Sequence, residues 1–515
     1  MSLKTFRYFT IEQDDQIFNL YKPFRNQLRQ FEVLDSLRVL WAFAGNYSSG
    51  NQLPADIEIP GGFNYSDEVS DRKYRGVFDH EIDFLSKEII INCQKVASRE
   101  NSLKYKRHLG KLVNYVRQIL VEKIDLCQKD FQQDFFLSFN RLVHHQFPWQ
   151  ENTNRQSIIR YYKIFSDEKV NVLVKKITGL STYEIFLIGF FYFSITSNQF
   201  ENYLPSNSET RLITIEMLNL FFANYSISIS NLKEAMIATQ QINCNLFYTY
   251  NHLKEKPIIM EDDRFYCPIP MLLYWQITNG TYYKICNEPH FNNAFGNSFQ
   301  NYVGEVLNYI VTNMAVANTK ILPESSYNKN QNKTSDWIVV DKEAILFIEC
   351  KTKRMRLDSK TEIDSTALEK DLHKLASFVV QIYITYMDYA SGKYELKYDP
   401  GLIFVPLVVT LEDWFVAMNP TLKKIVHEEV EVLFEKEKID KNLLVTNPYF
   451  IRSISDFEGA FQVICEIGIK EYFEKFEKNL LIEKTREFKY IELFQGEIKR
   501  LFLDKIDEAV KEEMK

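Results

Sequence analysis

The stretch Ser335-Asp336-Trp337-Ile338-Val339-Val340-Asp341-Lys342-Glu343-Ala344-Ile345-Leu346-Phe347-Ile348-Glu349-Cys350-Lys351 decides how this chain is read. Two apolar runs flank the turn pair Asp341-Lys342, so the segment predicts a β-hairpin with strands over Asp336–Val340 and Ala344–Lys351. Side chains alternate across a strand. Glu349 and Lys351 therefore share one face, while Leu346, Ile348 and Cys350 share the other, where helices can cover them. A carboxylate and a lysine ending an otherwise apolar strand carry a desolvation cost that a partner must offset. Asp336, where the facing strand begins, brings a second carboxylate alongside. Two carboxylates offer the hard oxygens that Mg²⁺ prefers. A lysine beside them can orient or deprotonate a water and offset charge on a phosphate. Metal-assisted phosphodiester hydrolysis is the chemistry that fits this set.

Working outward, Gly296–Thr312 predicts a helix before the hairpin and Asp364–Tyr389 a long helix after it. A strand follows at Gly401–Thr410, then mainly helix, with one more strand at Tyr449–Ser453. This alternation is the order of an α/β domain. Upstream, the texture changes at Lys256. PIIMEDDRFYCPIP reads as two short strands around Glu261-Asp262-Asp263, and Met271–Thr278 as an apolar helical segment. Before that the chain reads as helical, with three- and four-residue apolar spacing over Glu81–Val96, Leu103–Phe136 and Leu212–Ala223, and with Asp79 as an N-cap. Asn46–Tyr65 and Glu151–Gln156 read as loops, and Lys470–Lys515, dense in Lys and Glu, as a solvated helical hairpin. The expectation is an α+β multidomain chain: a mainly helical region over 1–255, an α/β domain over 256–455 and a helical tail over 456–515.

Composition narrows the class. With 515 residues, 45% apolar and 25% charged, the chain is neither disordered nor fibrous. At roughly 150 residues per domain it has material for about three domains. Lys plus Arg number 62 against 69 Asp plus Glu, a net charge of −7, so nucleic-acid binding would need a local basic groove. Seven scattered cysteines without a C-x-x-C pair argue against a disulfide framework and a structural zinc site. The run Ile185–Ile195 is too short for a transmembrane helix, which needs about 20 residues, and is expected as a buried core helix. A cytoplasmic protein without a membrane segment is the expectation. No nucleotide-binding glycine loop, G-x-S-x-G or zinc-finger spacing occurs, and His144-His145 reads as structural.

Asp336, twelve intervening residues and then Glu349-x-Lys351 at the end of an apolar strand resemble the core motif of the PD-(D/E)XK, or restriction-endonuclease-like, nuclease superfamily. The resemblance covers about residues 291–418. It implies a mixed central sheet flanked by helices. It also implies a metal held by Asp336, Glu349 and the backbone carbonyl of Cys350, with Lys351 assisting the attacking water and Mg²⁺ as cofactor, replaceable by Mn²⁺. Members often carry a glutamate on the preceding helix; Gln300 stands at that position, just after Phe299. Glu305 falls on the side of the helix away from Phe299, Val303, Val306 and Ile310, and is a poor substitute. Ser335 replaces the proline of the motif, and Gln381 is the counterpart of a glutamine that some members place on the following helix.

Residues 351–360 hold five basic side chains and one acidic, so Lys353, Arg354 and Arg356 are candidates for phosphate-backbone contacts. The resemblance implies a metal-dependent nuclease acting on DNA in preference to RNA, with restriction or anti-phage defence as its setting. The helical N-terminal region would hold a protein partner, sense a signal or grip substrate, and a homodimer would allow both strands to be cut. The competing expectation is a catalytically degenerate module that binds nucleic acid or protein, marked by Gln300. A third is a helical scaffold in which Asp336, Glu349 and Lys351 lie far apart.

Overall fold

The computed structural model describes residues 11–49, 54–58, 76–127, 140–150, 155–204, 212–243, 245–314, 319–327, 329, 332–361, 365–416, 419–477 and 498–502. Eleven strands appear among these residues: β1 (Glu201–Tyr203), β2 (Ser226–Ser228), β3 (Ile258–Glu261), β4 (Arg264–Tyr266), β5 (Lys320–Pro323), β6 (Ser326–Tyr327), β7 (Asn332–Lys333), β8 (Trp337–Val340), β9 (Ala344–Lys351), β10 (Ile403–Thr410) and β11 (Phe450–Ser453). The helices of the first half are α1 (Ile11–Leu28), α2 (Val33–Ser49), α3 (Asp79–Asn92), α4 (Lys106–Cys127), α5 (140–146), α6 (Arg155–Ser166), α7 (Glu168–Thr178), α8 (Thr182–Asn198), α9 (Ile215–Tyr225) and α10 (Ile229–Thr239). Those of the second half are α11 (Pro270–Trp275), α12 (Thr281–Ile285), α13 (Phe291–Asn313), α14 (Leu357–Thr361), α15 (Ser365–Ala390), α16 (Pro420–Glu437), α17 (Asn442–Thr446), α18 (Ile454–Ile467) and α19 (Ile469–Glu477).

The central sheet is mixed, in the order β11-β10-β9-β8-β5. β10 lies parallel to both β9 and β11, while β8 runs antiparallel to β9 and β5. The expected hairpin is β8–β9, and Asp341 builds its turn by accepting from the N–H groups of Glu343 (2.9 Å) and Ala344 (2.8 Å). The central strands read as near-continuous apolar runs because helices cover both faces. Val339, Leu346, Ile348, Leu407 and Val409 face a core built with α6–α9, α13 and α18. Ile338, Ile345, Phe347, Phe404 and Val408 face a second core built with α15 and α16. A third core holds α1–α4 and α10. The small sheet β1-β4-β3-β2 stands between two of them: Ile258 and Phe265 join the first core, Ile259 and Tyr266 the third.

The sequence expectation of mixed helix and sheet holds, with differences in detail. Residues 155–225, assigned to the N-terminal region, share a core with the central sheet, so packing does not divide at Lys256. The buried pair Arg160–Glu458 fixes this union: Nε and Nη2 of Arg160 lie 2.8 and 2.7 Å from the two carboxylate oxygens of Glu458, and the Tyr302 hydroxyl donates to the same group at 2.7 Å. The first helix of the expected helical tail, α18, belongs to the core, with Phe457 and Phe461 buried. Asp79 is the first residue of α3 and not its cap; Glu81 reaches back to the Phe78 N–H at 2.8 Å. Asp262 adopts φ 54° between β3 and β4, where the turn was expected. Most of the Asn46–Tyr65 loop, the end of the Leu103–Phe136 helix, residues 151–154 and most of the 470–515 segment lie outside the described residues.

Ile185–Ile195 lies within α8, whose inner face is buried. Among the described residues no single helix is long and apolar enough to cross a membrane; the bent pair α7 and α8 meets that test only together, by length and composition.

Candidate active site

Strand register gathers the acids. Trp337 pairs with Ile348, so the next cross-strand position sets Asp336 beside Glu349. Pro323 pairs with Trp337, and one residue further the Glu324 N–H donates to the Asp336 carbonyl at 2.9 Å. Directly opposed residues of antiparallel strands point to the same face. Glu324, Asp336 and Glu349 thus form a row across β5, β8 and β9, on the face that carries Ile338 and Phe347 and is covered by α15. On β10, Val408 stands beside Glu349 and Thr410 beside Lys351.

Lys351 lies in the same patch. Its Nζ donates to Glu349 Oε2 at 2.8 Å and to Gln381 Oε1 at 3.1 Å, and sits 5.2 Å from the centre of the Phe378 ring. Gln381 and Phe378 are one turn apart on α15, which explains how that helix reaches the strand end. One turn on, Thr385 Oγ1 lies 3.0 Å from the hydroxyl of Ser335. Glu349 is 1% exposed, and its Oε1 has no hydrogen-bond partner. The Cys350 N–H donates to Asp336 Oδ2 at 2.7 Å.

Backbone direction places one more oxygen. The Lys351 carbonyl accepts from the Leu411 N–H, on the β10 side. Backbone groups alternate between the two edges of a strand. The carbonyl of Cys350 therefore points with its N–H toward β8 and Asp336. Its thiol faces the opposite core, and burial, followed by the charges of Asp336 and Glu349, raises it well above the ordinary thiol value. Only the carbonyl of Cys350 is a plausible ligand atom.

The electrostatics match a site that takes a cation. Burial lifts the Glu349 carboxyl from 4.5 to about 7, against the pull of Lys351 and with the push of Asp336. Burial raises Asp336 as well, opposed by Lys351 and the Cys350 N–H. The charge of Glu324 reaches both carboxyls. Burial lowers Lys351, but Glu349 and Asp336 outweigh it and hold the ammonium above its ordinary range. Lys351 is therefore a cationic donor at neutral pH, not a free amine base.

Two carboxylates, one of them with an unpartnered buried oxygen, and one carbonyl fit a hard divalent cation that keeps several waters. Among the described residues no group of three or more His, Cys, Asp and Glu side chains is arranged to hold a metal ion.

Gln300 meets the site through its backbone, whose carbonyl accepts from the Trp337 indole N–H at 2.9 Å. Its helix, α13, covers the other face of the sheet from the acids. Gly304 lets α13 approach, because a Cβ there would overlap the Trp337 ring. Glu305 pairs with Lys163 at 2.6 Å, away from the acids.

The basic stretch is held by acids from elsewhere in the chain. Asp371 of α15, 2% exposed, accepts from the N–H of Arg356 (2.8 Å), its Nε (3.0 Å) and the Ser359 hydroxyl (2.7 Å). Lys353 lies 3.9 Å from the same carboxylate and is partly exposed. Glu412 takes Lys360 at 2.7 Å and the Met355 N–H at 2.9 Å. Arg354 is 5% exposed, with its guanidinium 4.2 and 5.0 Å from the ring centres of Tyr282 and Tyr283. Its charge is enclosed by aromatic rings, whose faces attract a cation. Glu324, Asp371 and Glu412 are the carboxylates that sequence reasoning missed. None belongs to a local motif; each becomes visible only through strand register or through the return of a distant element.

A cavity of about 1060 Å³ lies toward the start of β10, lined by residues including Tyr398, Phe404, Lys423, His427, Tyr449 and Phe473. It is at the other end of the strands from Glu349.

No protein-family model, no curated protein and no solved structure matches this chain.

Proposed function

We propose that the protein is a metal-dependent nuclease hydrolysing phosphodiester bonds, with DNA favoured over RNA by analogy to the nuclease superfamily its hairpin resembles, and with restriction or anti-phage defence as the setting that analogy suggests. One observation carries the reading. Asp336, Glu349 and Lys351, distant in sequence by up to a hairpin, stand together at one strand end, with Gln381 on Lys351 and a buried carboxylate oxygen left unpartnered.

The chain's own groups divide the work as follows. Asp336, Glu349 and the Cys350 carbonyl present oxygens to a divalent cation, Mg²⁺ or Mn²⁺, which when bound supplies Lewis-acid polarisation of the phosphate and lowers the pKa of water. Lys351, protonated and held by Glu349 and Gln381, places positive charge where the scissile phosphate gains negative charge. Water adds to phosphorus, the bond to the leaving sugar oxygen breaks, and that oxygen takes up a proton. Gln381 fixes the Lys351 rotamer and acts on positioning rather than on the reacting atoms. Lys353 and Arg356 are exposed alike, and Lys353, 3.9 Å from Asp371 where Arg356 lies at 3.0 Å, is the less tightly held of the two and the better candidate to meet a phosphate.

The test is a cleavage assay on plasmid, linear and single-stranded DNA and on RNA, in Mg²⁺ or Mn²⁺, with EDTA and Lys351→Ala as controls. Metal-dependent cutting that Lys351→Ala abolishes is expected. Binding of nucleic acid without cutting, unchanged by EDTA, would replace this reading with the degenerate binding module.

A further inference from the structure

We propose that Glu324 is a third acidic ligand of the divalent cation, acting through a water of its shell, in the role that the resemblance would give to position 300. The inference rests on the nuclease reading above and deepens it.

The ladder Pro323–Trp337 and the bond from the Glu324 N–H to the Asp336 carbonyl, 2.9 Å, set Glu324 directly beside Asp336. The ladder Trp337–Ile348 sets Asp336 beside Glu349. Directly opposed like charges destabilise a sheet, and here three carboxylates stand in line. Among the described residues, the cations within ion-pair distance of this row are Lys351, at Glu349, and Lys333, at Glu324 (2.9 Å). Lys333 is 66% exposed, so that pair is readily exchanged with solvent. The second observation is Glu349 itself: 1% exposed, with Oε1 lacking a partner. A buried carboxylate oxygen left unsatisfied is costly, and a cation at the row would satisfy it.

The position that the resemblance favours is badly placed for this task. Gln300 belongs to α13, which packs on Val339, Leu346 and Ile348, the face of the sheet opposite the acids. Glu324 shares the face of Asp336. Glu324 stands at the far end of the row from Glu349, so its contact runs through a water of the ion's shell, which suits Mg²⁺ and its retained hydration.

The experiment is Mn²⁺ binding to the full chain without substrate, read by the loss of the free-ion electron paramagnetic resonance signal. Four proteins are compared: wild type, Glu324→Gln, Gln300→Ala and Asp336→Asn, each checked for native circular dichroism. Loss of a supporting ligand of this kind weakens metal affinity by about 10- to 100-fold. Glu324→Gln is expected to lose at least ~10-fold, Gln300→Ala to bind as wild type, and Asp336→Asn to lose the site. Wild-type affinity in Glu324→Gln, with Asp336→Asn defective, would overturn the inference and leave the nuclease reading standing. Wild-type affinity in Asp336→Asn would overturn both. Glu324→Asp, keeping the charge, is expected to restore most of the affinity; its failure alongside an altered circular dichroism spectrum would assign Glu324 a purely structural role and overturn the inference.

Discussion

Glu349→Gln should separate the stability of this protein from its chemistry in a pH-dependent way. Glu349 is 1% exposed, one oxygen bonded to Lys351 at 2.8 Å and the other without a partner. Burial lifts its carboxyl from 4.5 to about 7. A carboxyl raised on folding leaves stability fully present below pH 4.5 and removes it as the pH rises through about 7. One pKa unit corresponds to about 1.4 kcal/mol, so the loss from this group reaches about 3 kcal/mol at pH 8. Glutamine keeps the shape and cannot ionise. The pull of the Lys351 ammonium on Glu349 is already part of that value, and lysine stays protonated between pH 5 and 8, so it adds no pH dependence of its own. Urea denaturation in EDTA at pH 5, 6, 7 and 8 would read the difference. The variant should gain on the wild type as the pH rises, by about 2.5 kcal/mol between pH 5 and pH 8, and Mg²⁺ should narrow the gap at pH 8 by supplying the wild-type carboxylate with a partner. Parallel curves, or a gap that shrinks with pH, would refute the reasoning.

Other consequences follow from particular contacts. Asp371→Asn removes the charged acceptor that gathers Arg356 and Ser359; it should cost about 2 kcal/mol and speed proteolysis within residues 352–361, read by thermal denaturation and peptide mapping. Gly304→Ala places a methyl against the Trp337 ring, next to Asp336; overpacking of this kind costs about 1–3 kcal/mol, and cleavage should fall with it, unlike a surface Ala substitution such as Glu305→Ala. Arg160→Met strands the buried Glu458 carboxylate and should cost about 3–5 kcal/mol, whereas Arg160→Met with Glu458→Met should recover most of that loss, as a double-mutant cycle would show.

What the sequence disclosed depended on local period. The hairpin, β10 and α15 are continuous patterns of period 2 or 3.6, and β9 runs over the residues expected, Ala344–Lys351. Gln381 reaches Lys351 because the 26 residues of α15 form one uninterrupted helix whose face is set by its apolar spacing. β5 was not legible: Lys320–Pro323 is short and half-exposed, and only pairing with β8 makes it a strand. Glu324 was hidden for the same reason, since its neighbour Asp336 is twelve residues away and strand register is not written in either segment alone. The shared core of residues 155–225 and the central sheet was equally hidden. α8 is apolar nearly all round, which announces burial but not the element it is buried against. The partners of the basic loop after β9 were also hidden: Asp371 and Glu412 come from distant elements, and no local pattern ties them to Arg356 and Lys360.

The most direct test of the account is the initial rate of plasmid cutting against Mg²⁺ concentration, for wild type and Asp336→Asn. The account predicts cutting that rises with Mg²⁺ in the wild type and is absent in the variant at every concentration. Cutting by Asp336→Asn at the wild-type rate, or wild-type cutting undiminished by EDTA, would contradict it.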